Sequence, residues 1–174
     1  GSGTQRPVGM LDMVLVHPEA TSSALRWCVL EMQAVYFSGR SLSNELKTLQ
    51  TWHGPGLPFP ASVRRPDFRS SGPKRLMPQL QIKVPTISRW GKKVAVLIDR
   101  AFWNALGQMT LVEHISNSDI AWFVVDYERG EERYHLRPGD TFLTTLDRAV
   151  EGLTGGIPTS LEDFEARLVE KMTP

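Results

Sequence analysis

The chain has 174 residues, enough for one domain with a sizeable core, and its content of 41% hydrophobic and 22% charged residues is typical of a globular protein. The net charge is only +1, and the single cysteine, Cys28, excludes an internal disulfide framework or a cluster of thiolate metal ligands. A single cysteine also favours a reducing, cytoplasmic setting. No apolar run approaches the roughly 20 residues of a membrane-spanning helix.

The first half of the chain is predicted to start with two apolar strands, over residues 8–17 and 25–37, joined by a polar turn. Leucines at helical spacing then predict a helix over 42–51. The next segment, 53–73, is rich in Gly, Pro, Ser and Arg and is predicted to be a long loop. Loops of that length are uncommon in compact domains unless they are functional or disordered.

The second half alternates between helices and strands. Residues 75–90 are ambiguous, because their apolar spacing favours a helix whereas Pro78 and Pro85 limit its extent. The remaining predictions are a strand over 94–99, a short helix over 101–106, a strand over 120–127 with a return strand over 133–136, and helices over 142–150 and 160–171. This order predicts an α/β (α+β) fold, a mixed sheet with helices packed on it.

Positive charge is concentrated in the middle of the chain. Nine Lys and Arg residues lie between positions 64 and 93, where Asp67 is the only acid. Such a density favours a surface that meets a polyanion, although a solvated basic loop would show the same pattern. The residues predicted to contact nucleic acid are Arg64, Arg65, Arg69, Lys74 and Arg75.

Each of the first two predicted strands carries a carboxylate, Asp12 and Glu31, within apolar sequence. A buried acid is costly unless it is paired, so these two acids indicate a shared cation. Hairpin pairing could bring them together, and the period of a strand puts Glu31 and Gln33 on one face. Mg²⁺ prefers such oxygen ligands, so we predict a site made by Asp12, Glu31 and the backbone carbonyl of Met32.

Simpler interpretations of the two acids remain open. Asp12 could be a strand-start acid that is hydrogen-bonded to a turn. Glu31 could form a salt bridge with Arg26 or with a residue of the basic segment. Either arrangement would satisfy the carboxylate without a metal ion.

Together, Asp12 and Glu31-Met32-Gln33 resemble the Asp…Glu-x-Gln variant of the PD-(D/E)xK nuclease signature, in which glutamine replaces the usual lysine. The longer tracts around them are similar to the NotI-type restriction endonucleases, and the resemblance covers roughly residues 8–130. The tracts that carry it are Gly9-Met10-Leu11-Asp12, residues 27–39, Met77-Pro78-Gln79-Leu80, residues 89–93 and residues 96–100.

The resemblance implies a restriction-endonuclease-like core of a helix, a three-stranded meander, a helix and a further strand. The first helix and first strand would precede Asp12, so we expect a fragment, or elements supplied by a homodimer partner or an additional chain. Residues 1–7, which begin Gly-Ser-Gly, are interpreted as a cloning scar or linker, and 8–174 as one nuclease-like catalytic domain.

The activity that the resemblance implies is Mg²⁺-dependent hydrolysis of DNA by a type II restriction enzyme, with Asp12, Glu31 and Gln33 as the catalytic residues. Gln33 would position the attacking water, since an amide does not titrate and cannot be a general base. Two alternatives stay open. One is a catalytically degenerate nuclease-fold module that binds DNA or another partner, and the other is a nuclease acting on RNA or on structured DNA.

Overall fold

The computed structural model describes residues 10–21, 23, 25–39, 41–56, 58, 63–131, 133–154 and 160–172. A five-stranded mixed sheet forms the centre of the fold, in the order β1-β2-β3-β4-β5. The strands are Met13–Val16 (β1), Trp27–Met32 (β2), Val94–Asp99 (β3), Ile120–Arg129 (β4) and Tyr134–Thr144 (β5). The two inner pairs, β2 with β3 and β3 with β4, are parallel, and the two outer pairs are antiparallel.

Helices flank this sheet, so the predicted mixed-sheet α+β fold is confirmed. They are Ser43–Gln50 (α1), Phe68–Ser71 (α2), Met77–Arg89 (α3), Arg100–Ala105 (α4), Leu146–Thr154 (α5) and Leu161–Met172 (α6). A π-helical turn, Gly72–Leu76, leads directly into α3, and a 3₁₀ turn covers Ile115–Asn117. None of the helices in the described ranges has the length and apolar character that a membrane span requires.

The main core lies between the sheet and α3. Strand β3 is an almost wholly apolar run, VAVLID, as expected for a strand covered on both faces. Its side chains pack with those of neighbouring strands and with one face of α3 and α5. The members with the lowest exposure include Val29, Leu80, Val84, Val96, Phe102, Trp122 and Leu153. The buried indole N–H of Trp122 donates to the hydroxyl of Thr144 at 2.8 Å, so this large side chain leaves no polar group unsatisfied.

The prediction of a helix over 142–150 is wrong at its start. Strand β5 continues to Thr144, because Phe142 and Thr144 pair with Trp122 and Ile120 of β4. Helix α5 begins only at Leu146, whose N–H donates to the Asp119 carboxylate at 2.9 Å. Cross-strand pairing thus overrides the helical spacing of the first residues.

The prolines do not interrupt the segment 75–90, which is helical. Pro78 follows the π-helical turn within a continuous run of helix, so one backbone hydrogen bond is missing there, and Pro85 is inside α3 at an exposed position. The predicted loop 53–73 also needs correction, since α2 occupies its end. The predicted scar or linker, residues 1–7, lies outside the described residues.

Candidate active site

The hairpin of β1 and β2 places the two predicted acids at the same end of the sheet. Met13 pairs with Leu30, so the antiparallel register puts Asp12 opposite Glu31, one step further along. The Oδ2 atom of exposed Asp12 accepts a hydrogen bond from the backbone N–H of Met32 at 2.9 Å. In an extended strand the N–H and C=O of one residue point to the same edge, so the Met32 carbonyl faces the edge where Asp12 lies.

Glu31 is buried, at 1% exposure, under the N-terminal half of α3. Its Oε2 atom accepts a hydrogen bond from Lys83 Nζ at 2.5 Å, and Lys83 also donates to Gln79 Oε1 at 3.1 Å. Its other oxygen, Oε1, is buried and has no hydrogen-bond partner among the described residues. Glu31 therefore pairs with a residue of the basic segment, Lys83, as one of the simpler interpretations predicts. The pairing involves only one of its two carboxylate oxygens.

Gln33 follows directly after β2 and shares the inward face of Val29 and Glu31. Its backbone N–H donates to the Leu97 carbonyl at 3.0 Å, which continues the pairing with β3. Its side-chain amide donates to the Ala34 carbonyl at 2.6 Å. The Gln33 side chain is thus held in place at the end of the strand.

A cavity of about 390 Å³ lies at the end of β2, and Glu31 and Lys83 are not among its lining residues. Asp12, Met32 and Gln33 line it from the hairpin, and Gln79 lines it from α3. Tyr36 closes another side. The cavity is therefore bordered by the predicted catalytic strand on one side and by the helix that carries Lys83 on the other.

Backbone contacts connect the residues that follow β2 to the basic segment. Phe37 forms a bridge with Pro66, Ser38 N–H donates to the Arg65 carbonyl at 2.8 Å, and Asp67 N–H donates to the Tyr36 carbonyl at 2.7 Å. These bonds hold the start of α2 beside the cavity wall. A long-range backbone pairing therefore fixes the end of the predicted loop.

Arg75 connects the basic segment to the cavity itself, because its guanidinium lies over the ring of Tyr36, 3.6 Å from the ring centroid. Such a contact holds the cation in place while leaving its outer face accessible. Arg65, Arg69 and Lys74 are exposed. Four of the five residues predicted to contact nucleic acid are therefore exposed to solvent.

The fifth, Arg64, is held within the fold. Its guanidinium forms an ion pair with Glu45 of α1 and donates to the Ser38 carbonyl at 3.3 Å, and its side chain is only 8% exposed. The hydrogen bond from Arg64 lowers the pKa of the Glu45 carboxyl. Arg64 thereby attaches α1 to the segment that follows β2.

Asp67 shapes the same segment by capping α2. Its side chain accepts a hydrogen bond from Ser70 N–H at 3.0 Å, as an N-cap residue does. The hydrogen bonds from Ser70 lower the pKa of Asp67, with smaller contributions from the charges of Lys74 and Arg75. The only acid of the basic segment therefore has a local structural role.

The family model of the restriction endonuclease NotI matches residues 2–140, which is most of the chain and includes the whole candidate site. The chain belongs to the NotI restriction endonuclease family. Restriction endonucleases are nucleases that cleave DNA, so the family accounts for a site beside a basic surface. No curated protein matches the chain.

The donor set of this NotI-family chain fits a hard divalent cation. Mg²⁺ is commonly held by one or two carboxylates with water and phosphate oxygens. Asp12, the unpartnered Oε1 of Glu31 and the Met32 carbonyl are oxygen donors of that kind. No group of three or more His, Cys, Asp or Glu side chains that could hold a metal occurs in the described part of the chain.

The sequence indicates a partner for Glu31 in the basic segment but does not identify it, and that partner is Lys83. Leu80, Val84 and Ile87 form the buried face of α3, and Lys83 lies among them. A lysine on the apolar face of a helix is a signal that it has a buried partner. That partner, Glu31, is 52 positions away, and helical periodicity gives no information about contacts at that range.

Proposed function

We propose that this NotI-family chain is a Mg²⁺-dependent endodeoxyribonuclease of the type II restriction class, with Asp12, Glu31 and Gln33 as a PD-(D/E)xK-type catalytic set. The observation that carries the proposal is the hairpin register, which, continued one step beyond the Met13–Leu30 pair, sets Asp12 opposite Glu31, together with the hydrogen bond from Met32 N–H to Asp12. Gln33 lies two residues further on the same face and lines the adjoining cavity.

In this proposal Asp12, Glu31 and the Met32 carbonyl hold the ion. When bound, Mg²⁺ would polarise the scissile phosphate and activate the attacking water. The buried position of Glu31 keeps bulk water away from its carboxylate, which strengthens its interaction with a cation. Gln33 positions the water or a phosphate oxygen through its amide, with no change of charge during the reaction.

The proposed DNA surface is the exposed part of the basic segment, Arg65, Arg69, Lys74 and Arg75. Contacts with phosphates dominate affinity for DNA, and this segment is bonded to the chain that leaves the catalytic strand. Arg64, which is bonded to Glu45 and Ser38, would act by fixing that segment. A homodimer would present one such site to each DNA strand, so we propose a homodimer acting on DNA in the cytoplasm.

A second candidate is supported by the Lys83 contact. Lys83 already neutralises Glu31, as it would in a nuclease-fold module that binds DNA without cutting it. In that case the ion pair would serve folding alone. Under this alternative the exposed basic residues still bind DNA, but Asp12 and Glu31 bind no metal ion.

Incubation of the full chain with supercoiled plasmids whose inserts together cover a bacterial genome, and so a wide range of recognition sequences, tests the proposal. We expect nicked and linear products with Mg²⁺, no products with EDTA, and no products from Asp12→Asn. DNA binding by the wild-type chain without cleavage in any divalent metal would instead support the degenerate module. Cleavage of RNA but not of plasmid would contradict the DNA substrate.

A further inference from the structure

We propose that Lys83 is a positioning residue of the active site, which supplies from α3 the positive charge that the catalytic strand lacks at Gln33. The inference rests on the proposed function. It concerns a residue outside the Asp…Glu-x-Gln motif and gives it a role in ion binding and turnover.

The first observation is geometric. Lys83 Nζ lies 2.5 Å from Glu31 Oε2, and both side chains are buried. Gln79, one helical turn earlier on α3, fixes the ammonium from its other side at 3.1 Å and also lines the cavity. The ammonium group is therefore held between Glu31 and Gln79, and of these three side chains only Gln79 lines the cavity.

The second observation concerns the strand itself. Gln33 lies where a strand lysine would bring its charge into the cavity, but its amide is neutral and its donor is bonded to the Ala34 carbonyl. Among the described cavity-lining residues, Asp12 is the only one with a charged side chain. Lys83 therefore supplies the positive charge in contact with Glu31, the buried acid of β2.

The ion pair between Lys83 and Glu31 predicts how strongly a divalent cation binds at the site. Lys83 holds one oxygen of Glu31 and leaves Oε1 without a partner. A positive charge beside a ligand repels a divalent cation, so Lys83 weakens metal binding while it orients Glu31 and adds positive charge where phosphate charge develops. A purely structural ion pair would do the opposite, because its loss would disorder Glu31 and weaken the metal site.

Three variants of the full chain separate these roles. Lys83→Gln removes the charge and keeps a hydrogen-bond donor, and Lys83→Arg keeps the charge. The double variant Lys83→Gln with Gln33→Lys moves the charge from the helix to the strand. Lys47→Gln on α1, an exposed lysine, controls for the loss of one positive charge.

Metal affinity is measured by titration calorimetry with Ca²⁺ in the absence of DNA, and turnover by plasmid cleavage with Mg²⁺. We expect Lys83→Gln to bind Ca²⁺ about tenfold more tightly but to lose about 100-fold in kcat with little change in KM. Lys83→Arg should retain most of the activity, and the double variant should recover at least about tenfold over Lys83→Gln. Lys47→Gln should match the wild type in both measurements.

Weaker Ca²⁺ binding by Lys83→Gln, or a double variant no more active than Lys83→Gln, would overturn the inference. If Lys83→Gln does not fold, the double variant decides: a folded and active protein supports the inference, and an unfolded one shows a structural ion pair. A wild-type chain that binds Ca²⁺ but does not cleave would refute the proposed function, whereas tighter Ca²⁺ binding by Lys83→Gln would still support the placement of Lys83 against the metal ligands.

Discussion

The carboxylate of Asp12 and the backbone N–H of Met32 are joined by a hydrogen bond of 2.9 Å that crosses from the start of β1 to the end of β2. This bond orients an exposed acid toward the strand that carries Glu31. It also means that Asp12 has two separable properties, an acceptor oxygen and a negative charge. A substitution can remove one and retain the other.

Asp12→Asn is predicted to abolish cleavage without unfolding the hairpin. The amide oxygen of asparagine can still accept from Met32 N–H, so the free energy of unfolding should change by less than about 0.5 kcal/mol. Loss of the charge should lower kcat by about 100-fold or more, which corresponds to roughly 3 kcal/mol of barrier. Urea denaturation and plasmid cleavage measure the two effects. Wild-type cleavage by this variant would exclude Asp12 from the metal site.

Gln33→Ala is predicted to lower turnover while leaving DNA affinity nearly intact. Gln33 lines the cavity but carries no charge that phosphates would attract. A loss of one positioning contact should reduce kcat by about tenfold, equivalent to about 1.4 kcal/mol. Single-turnover cleavage and fluorescence anisotropy of labelled duplex DNA check both parts. Glu31→Ala, in contrast, should lose all activity.

The exposed amide of Gln81, also on α3 but outside the cavity lining, supplies the control for this prediction. Gln81→Ala should change neither turnover nor affinity. If Gln33→Ala and Glu31→Ala both have small and equal effects, neither residue belongs to the active site.

The sequence predicts the hairpin of β1 and β2 because the signals there are local, although both strands are shorter than the predicted 8–17 and 25–37. Apolar runs define β1, β2 and β3, and the last of these has the predicted bounds of 94–99. Acids inside such runs are conspicuous, since burial of an unpaired carboxylate is costly. This expectation of a buried acid is confirmed for Glu31 and wrong for Asp12, which is exposed together with all of β1.

The parts that the sequence does not predict depend on contacts between distant residues. The pairing of β5 with β4 extends a strand into sequence with helical spacing, as at Phe142. The bridge between Phe37 and Pro66 fixes the end of the segment 53–73, which the sequence predicts to be a loop. Lys83 acquires its partner only when α3 packs on β2. In each case tertiary packing outweighs local preference.

Stability is predicted to depend on the ionisation of Asp67 in acid. Hydrogen bonds from Ser70 lower the pKa of Asp67 below its ordinary value of 3.8. A carboxyl whose pKa is lower in the folded state stabilises the fold above the unfolded-state pKa, and this contribution is lost as the pH falls through the folded-state pKa. The wild type should therefore lose stability below about pH 4 more steeply than Asp67→Asn, whose side chain can still cap α2 but does not titrate.

Thermal unfolding followed by circular dichroism between about pH 7 and about pH 2.5 measures this difference. Glu170→Gln on α6, an exposed acid, is the control and should follow the wild-type profile. Parallel profiles for the wild type and Asp67→Asn would show that the cap does not contribute to acid sensitivity.

The basic segment is predicted to set the salt dependence of DNA binding. Arg69 is exposed and Arg75 is held over Tyr36 at the cavity, so both can face the phosphates of bound DNA. Each phosphate contact contributes roughly 0.9 to the slope of log affinity against log salt concentration on duplex DNA. The double variant Arg69→Ala with Arg75→Ala should therefore flatten the slope by up to about two units.

A matched double variant separates direct contact from loss of net charge. Arg148 on α5 and Arg167 on α6 are exposed and lie outside the basic segment. Replacing both with alanine removes the same amount of charge and should leave the slope nearly unchanged, whereas equal flattening by the two double variants would attribute the effect to net charge. Any cleavage that remains in the Arg69 and Arg75 variant should still require Mg²⁺, because neither residue contributes to the proposed metal ligands. A slope that does not change in that variant would remove this segment from the DNA interface and leave Tyr36 as the structural partner of Arg75.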